Sequence, residues 1–284
     1  IATGSGFIAA LDQSGGSTPK ALRGYGVEDS EWTGDDEMFA AIHAMRSRVI
    51  TSPSFANGKV IGAILFEKTM DGIVEGLPTP DALKQRGVVP FIKVDQGLED
   101  EADGVQLMKD MGDLDGLLSR AKDKGIFGTK MRSVINAANP AGIARNVAQQ
   151  FEIGHQILSH GLMPMLEPEV NIKISDKAEA EAILRDEITK GLDALSEPVM
   201  LKLSLPSQAN FYAPLIAHEK CLRVVALSGG YSREEANTLL AANNGMIASF
   251  SRALTEGLSD AQSDEAFNEM IAGTIDSIYQ ASIT

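Results

Sequence analysis

Residues 126–166 read IFGTKMRSVINAANPAGIARNVAQQFEIGHQILSHGLMPML. Two short apolar runs, Ile126–Met131 and Leu162–Leu166, flank a longer segment that opens after Asn139-Pro140. Asparagine as a cap and proline in the first turn predict a helix over Ala141–Ser159. Strand, helix and strand in succession is the unit of a parallel sheet. Working outward, the alternation repeats along the chain. Further strands are expected at Gly6–Leu11, Val60–Phe66, Val88–Val94, Val199–Leu203, Val224–Leu227 and Met246–Phe250, making eight. They are short and apolar, as strands buried on both faces are. Helices are expected at Asp35–Ile50, Pro80–Gln85, Leu114–Lys122, Lys177–Leu195, Ala213–Lys220, Ser232–Ala242 and Asp264–Tyr279. Met38, Ile42, Met45 and Val49 stripe the first of these at helical spacing. Ser232 and Glu235 have capping-box spacing.

Eight strand–helix repeats predict an α/β fold, a single (β/α)8 TIM barrel. A doubly wound open sheet is the other arrangement of such a pattern, but no G-x-G-x-x-G follows the first strand. No linker or composition break divides the 284 residues, so one domain over residues 1–284 is expected. The formal net charge of −14 disfavours nucleic acid and acidic membranes as partners. No apolar run approaches the roughly 18 residues of a membrane helix. Cys221 is the only cysteine, which excludes an internal disulfide and fits a cytoplasmic setting.

In such a barrel the active site lies at the C-terminal strand ends. Those ends carry Asp12, Lys93 with Asp95, Lys130 with Arg132, Glu167 with Glu169, Lys202, Ser228-Gly229 and Arg252. Residues two apart on a strand share a face, so the three pairs gather opposite charges at the mouth. Lys202, between Leu201 and Leu203, has two readings: a lysine paired with Glu167 or Glu169, or an amine nucleophile. Apolar and cationic surroundings favour the free base, which attacks carbonyls. Glycine and serine turns after strands one and seven, with Ser14, Ser17 and Ser228, are candidate phosphate cradles. His43, His155, His160 and His218 are all read as lying in helical segments, so no metal site is expected. Met163, Met165 and Met200 are read as core.

Eight motifs in order then resemble one family: GFIAALDQSGGSTPKAL, GAILFEKTMDG, VPFIKVDQGL, GTKMRS, LEPEVNI, VMLKLSLPS, ALSGGYSREEAN and ASFSRAL. They are similar to the class I fructose-bisphosphate aldolases, above all the bacterial branch, over Gly6 to about Tyr279. The resemblance implies metal-independent cleavage of fructose 1,6-bisphosphate, a glycolytic step, with no cofactor beyond a covalent Schiff base on Lys202. It implies Glu167 as proton shuttle and Asp12 as the carboxylate at the hydroxyl beside the scissile bond. Lys130 would assist carbinolamine chemistry, and Glu169 and Asp95 would orient these groups. Ser228, Gly229 and Arg252 would bind the ketone-side phosphate. Ser14, Ser17, Lys93 and Arg132 would bind the aldehyde-side phosphate. Phosphorylated sugars are the expected ligands, and a homo-oligomer is compatible. Two departures stand out. Animal members end in a tyrosine, whereas Tyr279 lies within the last expected helix. Ser251 stands where animal members carry glycine before the arginine. A transaldolase-like enzyme and a non-catalytic sugar-phosphate binder are the alternatives. Two separate phosphate-type sites disfavour the first, and the joint presence of Asp12, Lys130, Glu167 and Lys202 disfavours the second.

Overall fold

The computed structural model describes residues 1–284. Its main sheet places eight strands in chain order: β1 (Phe7–Leu11), β2 (Val60–Leu65), β3 (Val89–Lys93), β4 (Gly128–Ile135), β5 (Met163–Val170), β6 (Val199–Ser204), β7 (Cys221–Leu227) and β8 (Ile247–Ala248). Every neighbouring pair is parallel. The seam between β8 and β1 is closed by Ala10 N–H donating to the Phe250 carbonyl at 3.1 Å. The expected (β/α)8 barrel is therefore present, with a thin seam.

The long helices fall where capping and periodicity put them, except the first, which has no side-chain cap and was not expected from the sequence. They are α1 (Ser17–Tyr25), α2 (Gly34–Thr51), α3 (Thr79–Gln85), α4 (Leu114–Asp123), α5 (Pro140–Ser159), α6 (Lys177–Asp193), α7 (Arg233–Ala241) and α8 (Asp264–Ser282). Asn139 accepts from Ala141 and Gly142 N–H at the head of α5, and the Ser232–Glu235 capping box opens α7. Two expectations are corrected. The helix expected over Ala213–Lys220 is one turn, Ala213–Ile216, because β7 already begins at Cys221. His160 and His218 lie just past helix ends, where they contact Asp115 and Asp193. Cys221 is buried, and burial pushes its thiol up to about 12.

Strand parity decides what faces the barrel axis. Ile8, Ala10, Ile64, Phe91, Met165, Met200, Val225 and Ile247 pack together as an inner apolar layer. The alternate residues, such as Leu11, Met131, Leu166, Leu201 and Ala226, join a 64-residue core under the helices. The period of two carries the inward face past the apolar layer, so the next inward positions are Asp12, Lys93, Lys130, Glu167, Lys202 and Ser249. The barrel floor is dry and apolar, and its mouth is ionic. No helix is long and apolar enough to cross a membrane.

Candidate active site

Asp12 follows β1 directly and is 7% exposed; Lys130, Glu167 and Lys202 are 3–4% exposed. These four form a chain of contacts. Lys130 Nζ is 2.6 Å from Asp12 Oδ2 and 3.0 Å from Glu167 Oε2. Lys202 Nζ is 3.2 Å from Glu167 Oε1. Lys202 thus pairs with Glu167, not Glu169, and one carboxylate bridges both lysines. Two cations alternating with two carboxylates offset a desolvation cost that a lone buried charge could not bear. Burial pushes the Asp12 carboxyl up, but Lys130, Lys202 and Lys93 together hold it well below the usual carboxylate range. Burial likewise works against the Lys130 ammonium, and Asp12, Glu167 and Asp95 outweigh it and raise its pKa.

The neighbouring pairs are also present. Lys93 Nζ lies 2.8 Å from Asp95 Oδ1, and Asp95 Oδ2 accepts from Arg132 N–H at 3.1 Å. Arg132 Nε pairs with Glu169 Oε2. The Arg132 guanidinium pKa is lowered by burial but raised on balance by Glu169, Glu167 and Asp95.

A cavity of about 1170 Å³ opens above this layer, and all twelve side chains singled out from the sequence line it. Two turns border it. In one, Ser17 Oγ donates to the Ser14 carbonyl at 2.8 Å and accepts from Ser14 N–H at 3.0 Å, which holds the turn before α1. In the other, Gly229 and Gly230 take positive φ of 62° and 118°. A Cβ on Gly229 would lie 2.8 Å from Ile172 Cγ2, so both backbone and space require glycine there. A Cβ on Gly230 would lie 3.5 Å from Arg252 Nη2, which places the guanidinium beside this turn.

Four cavity-side residues were not singled out from the sequence. Lys20, one turn into α1, faces the cavity without an ion pair. Ser249 has the inward parity of β8 and a buried Oγ with no partner. Gln13 Nε2 donates to Ser251 Oγ at 2.6 Å. Arg46 lies behind the lining, 0% exposed, and donates to Gln13. Its signal was in the sequence: it falls on the apolar stripe between Met45 and Val49. No three His, Cys, Asp or Glu side chains are arranged to hold a metal ion.

The arrangement can deliver an amine to a carbonyl, shuttle a proton between two lysines through Glu167, and offer anions two glycine- and serine-bearing turns in one cavity. The family model "Fructose-bisphosphate aldolase class-I" matches residues 1–198. A fructose-bisphosphate aldolase class 1 of Porphyromonas gingivalis is 58% identical over 279 residues, covering 98% of this chain and 95% of that protein. The structure resembles a Plasmodium falciparum fructose-bisphosphate aldolase with a TM-score of 0.79 at 21% identity, over 99% of this chain and 91% of that one. An archaeal fructose 1,6-bisphosphate aldolase follows with a TM-score of 0.58 at 10% identity, over 98% and 94% of the two chains. At those identities the two structures speak for the fold.

Proposed function

The chain belongs to the class I fructose-bisphosphate aldolase family, and we propose that the ionic layer at its barrel mouth performs the chemistry with Lys202 as the nucleophile. The reaction is the reversible cleavage of fructose 1,6-bisphosphate to dihydroxyacetone phosphate and glyceraldehyde 3-phosphate through a Schiff base. The observation that carries the residue assignment is Glu167, whose two oxygens touch Lys202 and Lys130 separately.

Glu167 accepts a proton from the Lys202 ammonium, and the free amine attacks the C2 ketone of the open-chain sugar. The carbinolamine loses its hydroxyl as water, with Glu167 returning the proton, and leaves an iminium ion. That cation withdraws the electron pair of the C3–C4 bond as it breaks. Asp12, kept ionised by the lysines around it, takes the C4 hydroxyl proton, and glyceraldehyde 3-phosphate departs. The enamine is protonated at C3, and water releases dihydroxyacetone phosphate and regenerates Lys202. Lys130 stays cationic beside Glu167 and stabilises the carboxylate between proton transfers. Arg252 with the Ser228–Gly230 turn suits the ketone-side phosphate. Lys20, Ser14, Ser17, Lys93 and Arg132, which also line the cavity, suit the other phosphate, which their charges and hydroxyls can meet with charge-assisted hydrogen bonds.

The iminium supplies the electrophile that a Lewis-acid metal would otherwise supply. Cleavage of fructose 1,6-bisphosphate, followed after exhaustive dialysis against EDTA, is therefore expected to proceed at the undialysed rate. Loss of activity that zinc restores would overturn this reading.

A further inference from the structure

Arg46 is the largest fully buried side chain in the molecule, and it forms no ion pair. Burial pulls its pKa down to about 10, with Asp12 the charge that offsets this, so it stays cationic at neutral pH. A buried cation without a contacting carboxylate is costly, and its remaining partners must hold it. Those partners are few. Nη1 donates to Thr69 Oγ1 at 2.7 Å. Nη2 donates to the Gln13 carbonyl and, at 3.2 Å, to Gln13 Oε1. Nε has none.

Gln13 is gripped by backbone and side chain at once, which fixes its amide orientation and turns Nε2 toward Ser251 Oγ at 2.6 Å. The link crosses the barrel seam. There the strand ladder has thinned to the single Ala10–Phe250 bond, and β8 is two residues long. Gln13 follows Asp12, and Ser251 precedes Arg252. The relay therefore ties the carboxylate assigned to the C4 hydroxyl to the arginine assigned to the ketone-side phosphate.

We propose that Arg46 and Gln13 are positioning residues that set the spacing between Asp12 and Arg252 across the seam, through Ser251. This rests on the assignment of Asp12 and Arg252 given above. With the spacing set, the phosphate anchored at Arg252 places the scissile bond under Asp12.

The test is a double-mutant cycle of Gln13→Ala and Ser251→Ala, with Arg46→Lys as a third variant. Steady-state kcat and KM for bisphosphate cleavage are read beside borohydride trapping of dihydroxyacetone phosphate. Each alanine variant is expected to lose kcat/KM by roughly three- to tenfold, the range of one hydrogen bond. The double variant is expected to be no worse than either single one, because all remove the same link. Trapping on Lys202 at saturating ketone should persist, since Lys202 and Glu167 lie outside the relay. Arg46→Lys, which keeps the charge but cannot grip Gln13 at two points, should fall with the alanine variants. Parent-like kcat/KM in Gln13→Ala, or losses that multiply in the double variant, would overturn the relay. Absence of trapping in the parent protein would instead overturn the Schiff-base assignment, and the relay with it.

Discussion

Asp12 and Lys130 lie 2.6 Å apart with little access to water, and burial opposes the charge on each. Their mutual field wins, in opposite directions for the two groups. The Asp12 carboxyl is held below its ordinary value of 3.8, so its contribution to stability is complete above that pH and is lost as pH falls toward the folded value. The Lys130 ammonium is held above its ordinary 10.5, so its contribution is complete below that pH and is lost on the alkaline side. Asp12→Asn leaves Lys130 with Glu167 alone and should cost about 3 kcal/mol or more, as breaking a buried pair does. Urea unfolding at stepped pH should find the gap between parent and Asp12→Asn flat from about pH 5 to 9 and narrowing below about pH 4. A gap that titrates through neutral pH would contradict the ionic layer described. Asp12, Lys130, Glu167 and Lys202 were legible in the sequence because each is a charge set against an apolar run. Arg46 showed only as a charge on the apolar stripe of α2, and its link through Gln13 to Ser251 did not show at all. The partners in that link come from α2, β1 and the β8 loop, and no spacing within one segment brings those together.

β4 and β5 differ from their sequence reading in an instructive way. Their apolar runs stop at Met131 and Leu166, but the ladder continues, pairing Arg132 with Glu167 and Ile135 with Val170. Hydropathy breaks where the charges begin, and the strands do not, because the inward charges neutralise one another. Outward, β4 is held to α5 by a polar network: Ser133 Oγ donates to Asn146 Oδ1 and Gln150 Nε2 donates to Ser133 Oγ, both at 2.8 Å. Asn146 Nδ2 also donates to the Val134 carbonyl at 3.3 Å. These groups back the strand that carries Lys130 and Arg132. Asn146→Leu would leave the Ser133 hydroxyl without its acceptor and remove a donor from the Val134 carbonyl, both away from water. It should lower the unfolding free energy by about 1–3 kcal/mol, measured by urea denaturation. An unchanged midpoint would mean that apolar contacts alone seat α5. β8 shows the opposite error, since Met246–Phe250 reads as a full strand and forms a ladder only at Ile247–Ala248. Apolar composition signals burial there, and the pairing itself depends on the seam geometry.

The chain as a whole carries a net charge of −14, yet its cavity is lined by six cationic and five anionic side chains. The net charge disfavours anions over the molecule as a whole, and the cationic side chains of the barrel mouth supply local positive charge against it. The fold places this excess over an apolar floor of Met165, Met200 and Phe91. In the proposed mechanism the amine and the iminium form there, between fixed charges of the protein. The barrel was legible from strand and helix alternation because its strands are short apolar runs separated by helical patterns. Closure at the seam was not, since it rests on one backbone bond and one side-chain relay. The most direct measurement is borohydride reduction in the presence of dihydroxyacetone phosphate, with peptide mapping of the parent and of Lys202→Arg. Arginine keeps the charge, but a guanidinium that stays protonated cannot form an imine. The parent should lose activity only when the ketone is present and gain mass on the peptide containing Lys202, while the variant takes up no label. Label on Lys130 or Lys93, or turnover by Lys202→Arg, would contradict the mechanism.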